Sequence, residues 1–236
     1  MVIGRCYTFS QSFDQAWAHL RSAEEMAFEI LPQAEETRTL RADIMHEIGM
    51  TIVQSGGDKE EGVRALEKAL RILGHDGGHQ VRRGVYILGV GNIRFSQGRY
   101  EDALNYYMRA EALLEGTDSY SNLSTALCNL GVCHICLSTL EVGETYIMRS
   151  LELRIKTGSY GEIAGSYYNL AALYERKGDI EKAYKTMLIS CDYALVSQVR
   201  ELKLKIIHEL EALSNSLSVA SSTLQQDSHF ADAAEA

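Results

Sequence analysis

Cys128, Cys133, His134 and Cys136 are the residues whose types come nearest to a chemical site, because thiolates and imidazoles are the ligands zinc prefers. A structural zinc site needs four such groups converging tetrahedrally, usually supplied as two short pairs. Here all four fall within one stretch of helical periodicity. Cys133 and Cys136 share a face, Cys128 lies well round from Cys133, and His134 points elsewhere. No second pair occurs in the sequence. Small thiols packed inside a helical array account for the cluster better than a metal, so neither metal nor cofactor is expected.

Other candidate motifs reduce in the same way. The loop Gly74-His75-Asp76-Gly77-Gly78-His79 brings two histidines and an aspartate close together, and a glycine-rich turn between helices explains it. Gly56-Gly57-Asp58-Lys59-Glu60 looks like the start of the diguanylate cyclase signature. That signature belongs on a hairpin between strands, whereas helical patterns flank it here. Gly89-Val90-Gly91 could open a dinucleotide fingerprint, but no strand precedes it and no third glycine follows at the required spacing. There is no strand-turn-helix context for a serine nucleophile, no phosphate loop and no zinc-protease motif. The expectation is a protein without catalysis.

The elements that would carry any site repeat along the chain. Four segments open with a large, apolar and small residue at helical spacing: Met45/Ile48/Gly49, Ile87/Val90/Gly91, Leu127/Leu130/Gly131 and Tyr167/Leu170/Ala171. A turn follows each, marked by Gly56-Gly57-Asp58, Gln97-Gly98-Arg99, Ser138-Thr139 and Gly178-Asp179. A second helical pattern then reads small, large, small: Gly62/Leu66/Ala69, Ala103/Tyr107/Ala110, Gly143/Ile147/Ser150 and Ala183/Met187/Ser190. Gly91, Gly131 and Ala171 are spaced 40 residues apart. Each small residue lets a neighbouring helix approach where a larger one would collide.

These residues resemble the tetratricopeptide repeat family, over roughly residues 11 to 197. The signature tryptophan and terminal proline are missing from every unit, and the period resembles the longer variety found in signalling scaffolds. The resemblance implies an all-α fold, a right-handed superhelical solenoid of antiparallel helix pairs. Its divisions are an N-terminal segment at 1–10, a half repeat or capping helix at 11–38, and repeats at 39–78, 79–118, 119–158 and 159–197. A capping helix at 198–220 and a disordered tail at 221–236 complete them.

The two ends leave alternatives open. Phe13, Ala16, Leu20 and Ala23 reproduce the second-helix pattern without a first helix before it. That suits a natural start with a lone capping helix, or a module beginning partway through a larger array. Near the other end, Val199, Ile206 and Leu213 form a heptad series with Leu210 and Leu217 beside it. Such a stripe suits a helix docked on the last repeat; it could also start a coiled coil, although Lys203 interrupts it and about three heptads is short.

Composition narrows the class of partner. The formal net charge is -9, from 32 acidic and 23 basic side chains, which argues against direct nucleic acid binding. Pro32 is the only proline, as many helices joined by short turns require. The start MVIGRCYTFS lacks a signal peptide's apolar stretch, and no run approaches the ~18 apolar residues of a membrane span. The five cysteines therefore read as reduced thiols of a cytoplasmic protein with no membrane partner.

The resemblance further implies a concave wall lined by the first helix of each unit. Helical phase then selects Asp43, His46 and Met50, followed by Val85, Leu88, Asn92 and Phe95. Thr125, Cys128, Asn129, Val132 and Ile135 follow, with Tyr168, Asn169, Ala172, Glu175 and Arg176 last. Asn92, Phe95, Asn129, Val132, Tyr168, Asn169 and Arg176 are the candidate peptide-binding residues among them. In peptide-binding members, an asparagine placed like Asn129 or Asn169 often hydrogen-bonds the ligand's backbone, since an amide both donates and accepts. The family's carboxylate clamp needs basic residues along this wall, and only Arg176 supplies one. A protein or peptide ligand with an apolar or amphipathic face fits better. The other reading is a sensory or regulatory segment of a larger signalling protein, such as a cyclase, kinase or transcription regulator.

Overall fold

The computed structural model describes residues 13–29, 35–74, 77–197 and 203–218. Val199, His75, Asp76, the segment 1–10 and the tail 221–236 lie outside them. All the regular structure among the described residues is helical: α1 Phe13–Glu29, α2 Glu35–Gln54, α3 Lys59–Leu73, α4 Gln80–Ser96 and α5 Tyr100–Leu114 come first. They are followed by α6 Tyr120–Cys136, α7 Leu140–Thr157, α8 Tyr160–Arg176, α9 Ile180–Val196 and a last helix, α10, at 203–218. A short 3-10 turn, Gly77–His79, precedes α4. None of the described helices is long and apolar enough to cross a membrane.

The chain divides into two compact units, Met1–Ala126 and Leu127–Ala236, each with its own core. In the first unit α2 packs on α3 and α4 on α5 as antiparallel hairpins. Leu20, Ile44, Met45, Ile48, Leu73 and Tyr86 form one apolar cluster, and Val63, Leu66, Val90 and Ile93 another. In the second unit α8 packs on α9, and α7 packs on α8. Ile147, Leu151, Ile163, Leu170, Leu173 and Met187 make its core, which Ile206 and Leu213 of α10 join. Burying a leucine or isoleucine of this kind contributes ~1.5–3 kcal/mol, so these clusters carry most of the stability.

Each hairpin closes on the small residues that recur in the sequence. A Cβ on Gly91 would lie 2.5 Å from the Tyr107 ring, and one on Gly89 2.5 Å from Leu66, so helix packing explains both glycines. Gly49 faces Gly62 across the first hairpin, and Gly131 faces Gly143 across the third. Backbone meets backbone there.

The turns are one device used four times. The N–H groups of Gly57, Arg99, Thr139 and Asp179 donate to the carbonyls of Ile52, Arg94, His134 and Tyr174, five residues back in each case. This is the Schellman closure, which needs a left-handed residue just before the donor. Gly56, Gly98 and Gly178 supply it, and Ser138 supplies it in the third hairpin at φ 61°. The Gly56-Gly57-Asp58 run is thus a turn, with the Asp58 side chain accepting from the Glu60 N–H to cap α3. A side chain in the left-handed region costs ~1–2 kcal/mol, partly offset by the entropy a glycine would lose. Ser138→Gly should therefore stabilise the protein by ~0.5–1 kcal/mol, read as a higher urea midpoint at unchanged slope. An unchanged or lower midpoint would contradict the strain assigned to this turn.

Charged side chains join neighbouring helices where the periodic pattern departs from apolar. Arg94, buried on α4, donates to Glu60 of α3 and to Gln97 Oε1, and Gln97 donates back to Glu60 at 3.0 Å. Hydrogen bonds from Arg94 and Gln97 hold the Glu60 carboxyl below its usual range.

Candidate binding wall of the first helices

In the second unit two side-chain hydrogen bonds join α6 and α8. Asn169 Nδ2 donates to Cys128 Sγ at 3.3 Å, and Arg176 Nη1 donates to the Ile135 carbonyl at 2.6 Å. Each joins residues 41 apart in sequence, one repeat length plus one. Along this pair of helices Asn129, Val132, Tyr168, Asn169 and Ala172 remain half-buried, while Glu175 and Arg176 are exposed. Lys205 of α10 lies 4.4 Å from the Tyr168 ring centre, a cation–π contact at the edge of the strip. The surface alternates amides with apolar groups and ends in charge.

Five of the seven sequence-selected residues lie on these two helices. Asn92 and Phe95 lie on α4 in the first unit, the former exposed and the latter half-buried. Asn92 accepts a hydrogen bond from the Tyr107 hydroxyl at 2.8 Å, and Phe95 sits against Tyr100 with ring centres 5.2 Å apart. Three other residues assigned to the wall are corrected by the structure. Leu88, Cys128 and Ile135 are buried, because each tilts under its neighbours rather than outward. Asp43 and His46 are also spoken for. Asp43 accepts from the Tyr86 hydroxyl and lies 3.3 Å from Arg82, and His46 stacks on Tyr86 at 4.7 Å. Burial and the Asp43 contact push the Tyr86 hydroxyl's pKa well above the ordinary tyrosine value.

The third-hairpin thiols are packing residues. Cys133 is fully buried and its thiol is pushed up to about 12 by desolvation, so it stays protonated at neutral pH. His134 turns away, bonded through Nδ1 to Thr139 Oγ1 at 2.8 Å and stacked on Tyr146. Burial lowers its pKa, which favours the neutral ring. Among the described residues no three His, Cys, Asp or Glu side chains are disposed to share a metal ion.

One site residue escaped the sequence reading. Arg154, on α7, is only 7% exposed and reaches between α6 and α8. Its Nη1 donates to Ser166 Oγ at 2.8 Å and to the Glu162 carbonyl at 3.0 Å, with Cys128 Sγ at 3.5 Å. The signal was available: the equivalent positions of the other hairpins are Leu73, Leu114 and Ala194, all buried. A cation in that apolar register marks a polar junction behind the wall.

The family model for the tetratricopeptide repeat matches residues 164–188, the body of the α8–α9 hairpin. That hairpin carries a tetratricopeptide repeat. Solved tetratricopeptide-like structures agree along most of the chain. BtubC (BKLC) from P. vanneervenii is 19% identical, with a TM-score of 0.71 over 83% of this chain and 78% of that one. Aspartyl phosphate phosphatase F from Bacillus subtilis is 15% identical, with a TM-score of 0.74 over 97% of this chain and 60% of that one. The Rap conjugation gene regulator of the plasmid pLS20, solved in complex with the Phr* peptide, is 21% identical. It aligns over 86% of this chain and 55% of that one, with a TM-score of 0.70. The chain therefore spans little more than half the length of the latter two, and at these identities the likeness establishes the tetratricopeptide fold alone. No curated protein sequence matches the chain.

Proposed function

We propose that this chain is a non-catalytic binding module that holds a peptide or partner protein along its first helices. The observation that carries the reading is the strip on α6 and α8, where Asn129 and Val132 on one helix and Tyr168 and Asn169 on the other are half-buried, and Asn169 reaches α6 at Cys128. Amide groups there offer donors and acceptors to a ligand's backbone, and the apolar groups between them offer contact area. The tetratricopeptide fold supports it, since a repeat array buries the faces between neighbours and presents an extended surface to partners. The pLS20 regulator, whose structure contains the Phr* peptide, supports a peptide-sized guest.

The test is to recover partners by affinity capture with mass spectrometry, then measure one of them against the Asn129→Ala/Asn169→Ala protein. Two amide hydrogen bonds at ~0.5–1.5 kcal/mol each predict an affinity lower by a factor of about 5 to 150. Thermal unfolding should move only slightly, because each residue is partly exposed. Unchanged affinity would remove the strip from the site.

A second reading, a sensory segment within a larger regulator, is favoured by the likeness to the pLS20 conjugation gene regulator. It predicts that ligand binding changes the activity of an attached output domain, whereas a plain scaffold changes only who is bound.

A further inference from the structure

We infer that the first unit carries a second docking site, in the hollow between α1 and α3, for an acidic amphipathic helix of a partner protein. Between α1 and α3, over α2, lies a hollow of about 400 Å³. Its floor is apolar, made by Met45, Ile48 and Ile52 of α2 and Ala65 of α3. Its rim carries Arg21 and Glu24 from α1, with Glu61, Arg64, Lys68 and Arg71 from α3. Four basic side chains against two acidic ones make this rim positive in a chain whose net charge is -9.

The hollow exists because of two side-chain choices. In the fourth hairpin Tyr174 stands where Ile52 stands here, and Lys182 where Glu61 stands. There Lys182 Nζ lies 3.9 Å over the Tyr174 ring, and the Tyr174 hydroxyl donates to Glu144, so the corresponding space is filled. In the first hairpin the shorter Ile52 and the outward Glu61 leave it open. At ~30 Å³ per molecule the space would hold roughly a dozen waters. Water over an apolar floor is readily displaced by apolar side chains.

The chemistry of the rim selects the occupant. Met45, Ile48 and Ile52 are spaced three and four residues apart along α2, a span of about two helical turns. A guest helix with apolar residues at the same spacing can match them, laid between α1 and α3 in the helix-in-groove mode. Its flanking carboxylates then meet the rim. Arg71 is exposed and pairs with no carboxylate among the described residues. Among the described residues Arg64 is tied only to Asp58, at 3.4 Å, and that pair is more than half exposed on both sides. Exposed pairs of this sort are worth little and exchange readily for a better partner. Lys68 lies 3.3 Å from Glu24 and frames the opening.

The experiment uses the full chain and fluorescence polarisation with two labelled helical peptides, one with leucines at helical spacing among glutamates, the other with lysines replacing the glutamates. The glutamate peptide should bind and the lysine peptide should not. Arg64→Glu with Arg71→Glu should weaken binding at least tenfold. Ile52→Tyr with Glu61→Lys, which imports the fourth hairpin's filling, should abolish it. Asn129→Ala/Asn169→Ala should leave it unchanged, which separates this site from the wall on α6 and α8. Circular dichroism melts of each variant show whether it has folded, and the surface arginine pair serves as the test should the filled variant not fold. No binding of the glutamate peptide, equal binding of both peptides, or indifference to the arginine changes would overturn the inference. So would a dimer that dissociates in the arginine variant, since the occupant would then be a second copy of this chain.

Discussion

Replacing Gly131 with leucine should destroy native packing of the α6–α7 hairpin. A Cβ at this position would stand 2.5 Å from Ile147 Cγ1, 2.9 Å from the Gly143 carbonyl and 3.1 Å from the Ile147 nitrogen. Two of those three atoms are backbone, so no rotamer change can make room. Overpacking typically costs ~1–3 kcal/mol, and Gly131→Ala, which adds only the Cβ, should fall within that range. Leucine places three more carbons in the same gap and should exceed it, leaving no cooperative transition for this unit in urea or on heating. The control is Gly165 on α8, where an added Cβ meets nothing within 4 Å. Gly165→Ala should gain ~0.5–1 kcal/mol through helix propensity alone. If Gly131→Leu kept the parent midpoint, the two helices could not be as close as they are placed.

Arg154→Ala should cost ~2–4 kcal/mol, nearly as much as a core truncation, although the residue is charged. Its guanidinium donates to Ser166 Oγ and to the Glu162 carbonyl, and joins α7 to α8. Removing it empties a buried volume and takes away the donors those groups use, each penalty being ~1–3 kcal/mol. Arg154→Leu should recover about half of the loss. Leucine occupies the same register at Leu73 and Leu114, and buried ions can often be replaced by apolar groups of similar volume. Denaturation midpoints of the two variants decide the point. Equal destabilisation by both would mean that the hydrogen bonds, and not the filling of space, set the cost.

Much of this fold is legible in the residues. The spacing from Gly91 to Gly131 to Ala171 requires a repeating hairpin, and the Gly98, Ser138 and Gly178 turns fall where the pattern puts them. What was not legible depends on how side chains tilt and on the sizes of residues far apart in sequence. Helical phase alone sends Leu88, Cys128 and Ile135 towards the wall, yet small angular errors are enough to put them beneath it. Helical phase selects Asn169 and Arg176 for the wall, but it says nothing of their bonds to Cys128 and Ile135, which reach across a whole repeat. The hollow beside α1 was hidden for a related reason. It arises from Ile52 and Glu61 together, and neither is unusual alone.

The division of the apolar residues into separate clusters bears on how the chain acquires its structure. Helices find partners that are their immediate successors, so few long chain closures precede the first favourable contacts. Topologies of that kind form quickly. A hairpin at either end can serve as the starting point, with neighbours adding to it in turn. Damage confined to one cluster, such as a substitution at Gly131, should then spare local order in the other, and the equilibrium melt of such a variant would no longer be all-or-none.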